Sequence, residues 1–487
     1  MLYLRVKWRV PARLSLYTYE RRILMTTLTQ ESIETLSTTL RGPLVTSKDS
    51  NYDDVRKIWN GMIDRRPKLI AQCSGTADVV SCIKFITDTG IDFSVRSGGH
   101  NIAGSSIRDN GFMIDLSTMN SVFVDSKNRI AYVEPGATLG DVDHETQLYG
   151  LATSLGINST TGIAGLTLGG GFGWLSRKYG MTVDNLIAAQ VVTATGESIR
   201  VSQEEYPDLF WAICGGGGNF GIVTRFEIGL HPVGPLVFSG LIVFPFDTAK
   251  TTLQKYRDYT ADLPDELSVW AVLRKAPSLP FLDEKHHGKE VVVMAFLYAG
   301  DEETGKKLIE PLRRFAQPYG EFTGMMPYKD WQQAFDQLLT PGARNYWKSH
   351  NFDTLSDDTI DVIVEYAGKI PAAPSEIFIA QMGGYTGRQA LNKTAYVHRK
   401  ANYIMNVHAR WNKSRDDDLC IDWARAFFKS ASPYAMGGAY VNFMTQEESD
   451  RVPSAYGENY SRLREIKEKY DPKNIFNLNQ NIKPTQK

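Results

Sequence analysis

The residues able to do chemistry gather around glycine. His100 lies inside Ser97-Gly98-Gly99-His100-Asn101-Ile102-Ala103-Gly104, a loop whose glycines permit positive φ and let a ligand approach the main chain closely. Residues 156–173 hold seven glycines, too many for a helix or a regular strand interior, and are read as a long shaped loop. Residues 215–221 form a third glycine run. Three such loops in one region suit the walls of an extended cleft for a large flat cofactor, with a single imidazole in the first of them.

Spacing removes other chemistries. Gly216-Gly217-Gly218-Asn219-Phe220-Gly221 matches GxGxxG, but a nicotinamide site needs a strand before that motif and a helix N-terminus after it. Here the pattern reads helix before and strand after. No GxxxxGK[ST], HExxH or GxSxG motif occurs, and no Cys/His set has metal-ligand spacing. The cysteines Cys73, Cys82, Cys214 and Cys420 show no CxxC pattern and read as buried thiols.

The elements holding these loops follow from period and punctuation. Residues 69–72 read as a strand, 77–90 as a helix, and 93–96 as a strand running into the histidine loop. A hairpin of 121–125 with 130–134, a helix over 139–149 ended by Gly150, a strand pair 187–195 and 198–201, a helix 208–214 and a strand 222–230 complete the lobe. Beyond Pro232 and Pro235 the character changes. Strands at 237–244, 267–274, 291–298, 377–382 and 403–411 alternate with amphipathic helices at 248–260, 302–315 and 418–429. An antiparallel sheet with helices on one face is the economical arrangement. After Pro433 come Gly437-Gly438, turn-rich segments and a helix over 456–469, and this tail is expected to return to the first lobe. The expected fold is α+β with two lobes: an extension over 1–44, partly disordered, a glycine-rich domain over 45–235, a substrate domain over 236–434, and the returning segment 435–487.

Composition narrows the partners. Lys plus Arg number 54 against 55 acidic residues in 487, which offers no pull on nucleic acid. Apolar stretches break well before the roughly 18 residues of a membrane span. The first 24 residues carry Arg5, Arg9, Arg13, Arg21 and Arg22 without a clean secretory pattern, so Met25 is a candidate start and the cytoplasm the expected compartment. Nothing sets an oligomeric state.

The loop Arg96–Gly104, the run Gly165-Leu166-Thr167-Leu168-Gly169-Gly170-Gly171-Phe172-Gly173-Trp174, the segment Tyr440-Val441-Asn442-Phe443 and the tail Tyr470-Asp471-Pro472-Lys473-Asn474 resemble the berberine-bridge-enzyme-like oxidases, of the vanillyl-alcohol oxidase and para-cresol methylhydroxylase FAD-binding family. The resemblance spans from about Pro67 to the C-terminus. It implies FAD bonded covalently through His100 to the 8α carbon, raising the flavin potential. It further implies cofactor contacts from Arg96, Ser97, Gly98, Gly99, Asn101, Gly104, Thr160, Thr161, Gly165, Gly170, Gly173, Ile222 and Asn479. Some members carry a second, cysteinyl link. Asn158 stands at that position here, so one link is expected.

The same resemblance implies hydride transfer from a small-molecule substrate, with Tyr440 as base and Asn442 beside it, and O2 as acceptor releasing hydrogen peroxide. A phenol with a pKa near ~10 needs a cation or second phenol beside it, and Tyr385, next to Gly383-Gly384, is the candidate partner. Three alternatives stay open: a nicotinamide dehydrogenase, a flavin dehydrogenase with another acceptor, and a non-catalytic flavin-binding protein.

Overall fold

A computed structural model describes residues 28–485; the reading of residues 1–24 lies outside them. Within 28–44 the chain forms a helix, Gln30–Thr39, closed by a Thr29/Ser32 capping box, and its Leu36 joins the core beside Val79 and Ile83.

The first lobe holds two main sheets. Strands β1 (Leu44–Val45), β2 (Leu69–Gln72), β3 (Phe93–Arg96) and β4 (Phe112–Asp115) lie in the order β1-β2-β4-β3, with β2, β4 and β3 parallel. All of β4 is buried, as a strand covered on both faces must be. The helix Thr76–Thr89 connects β2 to β3 and ends at Gly90, whose φ of 65° caps it in the left-handed region. Strands β5 (Val122–Asp125), β6 (Ile130–Val133), β8 (Leu186–Val192), β9 (Ser198–Ser202) and β10 (Ile222–Gly229) make an antiparallel sheet in the order β5-β6-β10-β8-β9. A short pair, β7 (Leu151–Ala152) with β11 (His231–Pro232), lies beside it.

Strands β12 (Leu236–Pro245), β13 (Leu267–Lys275), β14 (Glu290–Tyr298), β15 (Gly320–Pro327), β16 (Arg344–Phe352), β17 (Glu376–Gln381) and β18 (Tyr403–Trp411) form one antiparallel sheet, ordered β15-β12-β14-β13-β17-β18-β16. Helices Ala249–Thr260, Glu302–Arg313, Asp357–Ala367 and Asp417–Ala431 cover one face over a core of Val269, Leu273, Ile379, Met405 and their neighbours. The opposite face turns Trp270, Ala295, Ala380 and Ile404 toward the first lobe.

Two strands of this sheet escape the sequence pattern. In β16, Arg-Asn-Tyr-Trp-Lys-Ser-His-Asn-Phe looks polar, yet seven of its nine residues are buried. In β15 glycine and partial exposure blur the alternation. Residues 156–173 are not all loop: Ile163–Leu168 is a short helix between Gly162 and Gly169. Burial of Ile163 and Ala164 outweighs the poor helix propensity of the flanking glycines.

The C-terminal helix Tyr460–Tyr470 starts later than expected, because Gly457, at φ 50°, breaks the chain ahead of it. Its Lys467 is buried and donates to the carbonyl oxygens of Asn219 (2.7 Å) and Phe476 (2.8 Å), while pairing with Asp471 at 2.6 Å. The backbone N–H of Ile482 donates to Asn219 Oδ1 at 3.0 Å. The tail is thereby tied to the third glycine run.

Candidate active site

A cavity of about 300 Å³ lies between the glycine loops and the inner face of the seven-stranded sheet. Its loop wall includes Ser97, Gly98, Gly99, His100, Asn101, Thr161, Gly165, Ile222 and Asn479; Tyr440 and Asn442 also reach it. Of the expected site residues, these are the ones brought together.

The histidine loop is held from behind. Arg96 pairs across β3 and β4 with Asp115 through Nε (2.9 Å) and Nη2, and its Nη1 reaches the carbonyls of Val55 and Lys57. Arg96 therefore does not line the cavity, contrary to expectation; its donors are consumed in anchoring the loop. A Cβ on Gly98 would lie 2.4 Å from the backbone nitrogen of Gly162, so the first two loops touch main chain to main chain. Only glycine fits there.

His100 stacks on Trp59 at 4.8 Å and contacts Thr160 Oγ1 through Nε2 at 2.9 Å. The Thr160 hydroxyl donates to Asn158 Oδ1 at 2.7 Å, so toward His100 it can only accept. Nε2 then carries the proton and Nδ1, 3.5 Å from Thr161 Oγ1, keeps its lone pair. Burial, with Arg410 nearby, depresses the His100 pKa to about 3, so the ring is neutral at physiological pH.

Other expected contacts serve the shape of the loops and not the wall. Thr160 stands behind His100. An added Cβ on Gly104 would meet Ile63, on Gly170 the Tyr396 ring, and on Gly173 the Leu155 carbonyl. Tyr385 is also misplaced by the sequence reading. Gly383 and Gly384, at φ 78° and 52°, turn the chain away after β17, and the helix Gly384–Arg388 docks on the first lobe through Thr386 Oγ1 to the Ser176 carbonyl (2.9 Å). The tyrosine beside Tyr440 is Tyr396, at 6.2 Å between ring centroids.

Tyr440 is buried at the cavity edge. Its hydroxyl accepts from the Gly171 N–H and from Asn442 Nδ2, both at 3.1 Å, leaving its own O–H for a ligand. Burial pushes its pKa up to about 12, with those two donors opposing.

The polar residues of the sheet wall, Glu376, Asn406 and His408, were not foreseen. Registry places Glu376 opposite His408, Phe378 opposite Asn406 and Trp347 opposite His408, so all share one face, with Trp270 stacked on Phe378 at 6.0 Å. Glu376 accepts from Arg274 Nη1 at 2.6 Å and lies 3.4 Å from His408 Nδ1. Burial raises its pKa, but Arg274, His408 and Arg410 prevail and hold it below the ordinary carboxylate value. His408 Nε2 lies 3.2 Å from Asn345 Oδ1. Asn406 and the indole nitrogens of Trp270 and Trp347 are buried with no protein partner, at a cost of about 1–3 kcal/mol each unless a ligand supplies one.

These features fit FAD. At Gly165 a Cβ would meet nothing within 4 Å, so the main chain faces open space along the cavity. The hydroxyls of Ser94 and Ser106 on the wall also lack partners, suiting a long ligand with polar groups along its length. Among the described residues no cluster could hold a metal ion, and no helix is long and apolar enough to cross a membrane.

A two-lobed α+β fold with a glycine-walled cleft between a mixed sheet and an antiparallel one defines an FAD-binding oxidoreductase. Residues 67–202 match the FAD binding domain family, and residues 439–483 match the berberine and berberine-like family. An FAD-linked oxidoreductase of Dictyostelium discoideum is 34% identical over 89% of this chain and 92% of its own. The crystal structure of 6-hydroxy-D-nicotine oxidase from Arthrobacter nicotinovorans superposes with a TM-score of 0.81 at 27% identity, covering 92% of this chain and 98% of that one. Glucooligosaccharide oxidase from Acremonium strictum, whose FAD is 6-S-cysteinyl and 8α-N1-histidyl, shares the fold at a TM-score of 0.83 and 22% identity, over 94% and 100% of the two chains. The chain belongs to the berberine-bridge-enzyme-like FAD-linked oxidoreductases.

Proposed function

We propose that the protein oxidises a carbon centre of a small organic molecule, such as an alcohol, sugar or secondary metabolite, using FAD tethered at His100 and reoxidised by O2. The observation that carries this reading is an imidazole in a glycine-walled cleft whose hydrogen bonding leaves Nδ1 unprotonated, with only the Thr161 hydroxyl at 3.5 Å beside it. FAD supplies the two-electron acceptor for hydride.

The residues divide the remaining work. His100 holds the cofactor through Nδ1, and Asn158, acting through Thr160, sets the tautomer that leaves this nitrogen unprotonated. With asparagine at 158, a single covalent link forms. Ser97, Gly98, Gly99, Asn101, Thr161, Gly165, Ile222 and Asn479 shape the bed. Tyr440 orients the substrate through its free O–H. As base it must first ionise, which the Gly171 and Asn442 donors favour and burial opposes. The rate constant kcat/KM is therefore expected to climb with pH without a plateau below about 10, and Tyr440→Phe to lose that limb.

The test is the visible spectrum before and after acid precipitation. Yellow colour is expected to stay in the wild-type pellet and to leave with the supernatant in His100→Ala. Colour leaving the wild type would end the tether proposal. Under air, hydrogen peroxide is expected mole for mole with product; turnover only with an added dye would exclude the oxidase reading.

A further inference from the structure

We propose that the sheet wall of the cavity selects a flat, non-cationic aromatic or heteroaromatic substrate bearing a hydrogen-bond donor and an acceptor side by side on one edge. This rests on the function proposed above, with the flavin on the glycine loops and the substrate on the sheet side of the cavity.

Polar accounting leads there. Glu376 and His408 are the wall's titratable groups, and both are already engaged: Glu376 with Arg274 and His408, and His408 also with Asn345. Arg274 and Arg410 against the single carboxylate of Glu376 leave a net positive charge behind this wall, so a cationic ligand is disfavoured here. Arg410 is itself occupied, by Asn345 Oδ1 at 3.1 Å and by the carbonyl of Thr340. What remains free is the carboxamide of Asn406, whose Nδ2 and Oδ1 both lack partners on a fully buried side chain, and the indole N–H groups of Trp270 and Trp347 on the same cavity lining. A carboxamide offers one donor and one acceptor whichever way it is turned. Its natural complement is a paired acceptor and donor, as on a lactam or amide edge.

The surroundings are aromatic. Trp270 and Phe378 are stacked with planes 9° apart, and Trp347 meets Phe443 edge-on at 5.4 Å. Such surfaces favour a planar π-system. An oligosaccharide carries no π-system, and its hydroxyls outnumber the free polar atoms of this wall, so that some are buried as orphans at a cost in affinity. The wall thus disfavours oligosaccharides.

The experiment uses natively purified holoprotein and three probes: 2-pyridone, N-methyl-2-pyridone and cellobiose. Binding is followed by quenching of tryptophan fluorescence and, independently, by perturbation of the visible flavin band. 2-Pyridone is expected to bind at least ten-fold more tightly than its N-methyl analogue, which keeps the ring and loses the donor. Cellobiose is expected to bind more weakly than either. Asn406→Leu is expected to erase the difference between the two pyridones. Equal binding of the pyridones to the wild type, or tighter binding of cellobiose, would overturn the proposal whether or not the variant folds. A protein without flavin absorbance would instead overturn the function proposed above, and the fluorescence titration would still decide this one.

Discussion

The seven-stranded sheet has two faces made from the same strands and unlike in every other respect. On the helix-covered face Val269, Ala271 and Leu273 of β13, Ile377 and Ile379 of β17, and Met405, Val407 and Ala409 of β18 pack into one apolar core. One residue along each strand, the other face carries Trp270, Glu376, Phe378, Asn406 and His408, with charges in pairs and polar atoms left unpartnered. Both faces are largely buried, with Glu376 and Phe378 partly exposed to the cavity. The difference shows that burial alone does not make a core: on one face it is satisfied by apolar contact, on the other it leaves hydrogen-bonding capacity that a ligand can complete.

Substitutions on alternate residues of neighbouring strands sharpen this contrast. The largest effect is expected at Glu376→Gln, which leaves the buried Arg274 without its counter-charge; chemical denaturation should show a loss of roughly 3–5 kcal/mol. The sign with pH follows from the depressed carboxyl. Its contribution is present above the unfolded value of about 4.3 and is lost as pH falls through the lower folded value, so the gap between wild type and variant should close in acid. Next comes Ile379→Ala on the helix-covered face, which opens a cavity in a closed core and should cost about 2–5 kcal/mol with no change in ligand preference. Asn406→Leu should do the reverse: stability unchanged or higher by about 1 kcal/mol, with selectivity lost. A loss above ~2 kcal/mol there would place Asn406 in the structural face. Asn158→Ala removes the two hydrogen bonds that Asn158 Oδ1 accepts from the Thr160 N–H and hydroxyl, each worth about 1 kcal/mol. Its readout is the fraction of flavin retained in acid precipitate, which should fall as the His100 tautomers mix.

How much could be read beforehand divides along the same line. Strands β2, β3 and β10 and the helix Thr76–Thr89 stood close to where period and punctuation put them, since each has a clear apolar rhythm. The glycine runs were legible because few other reasons exist for so much glycine, and Gly98 meets Gly162 at a distance that bars any side chain. The polar residues of the sheet wall were not legible. Asn406 and His408 sit in a strand buried on both faces, where the alternation that marks an outer face is absent, and Glu376 opens a short strand whose cavity face is only partly covered. β16 failed for the same reason, its polar residues being turned inward. Tyr385 and Arg96 failed differently: residue type suggested a role, and the turn at Gly383-Gly384 and the pairing with Asp115 assigned other ones.

By itself the sequence determined the glycine-walled loops and the two-lobed plan, because glycine spacing and strand and helix periods are local properties of the chain, while FAD and the part of His100 entered through the resemblance to a known family. Which tyrosine neighbours Tyr440, which histidine nitrogen keeps its lone pair and which strand residues face the cavity were decided only by the tertiary structure. Those facts depend on registry across strands and on partners hundreds of residues apart, such as Gly171 with Tyr440 and Arg274 with Glu376. No period along one segment can encode them.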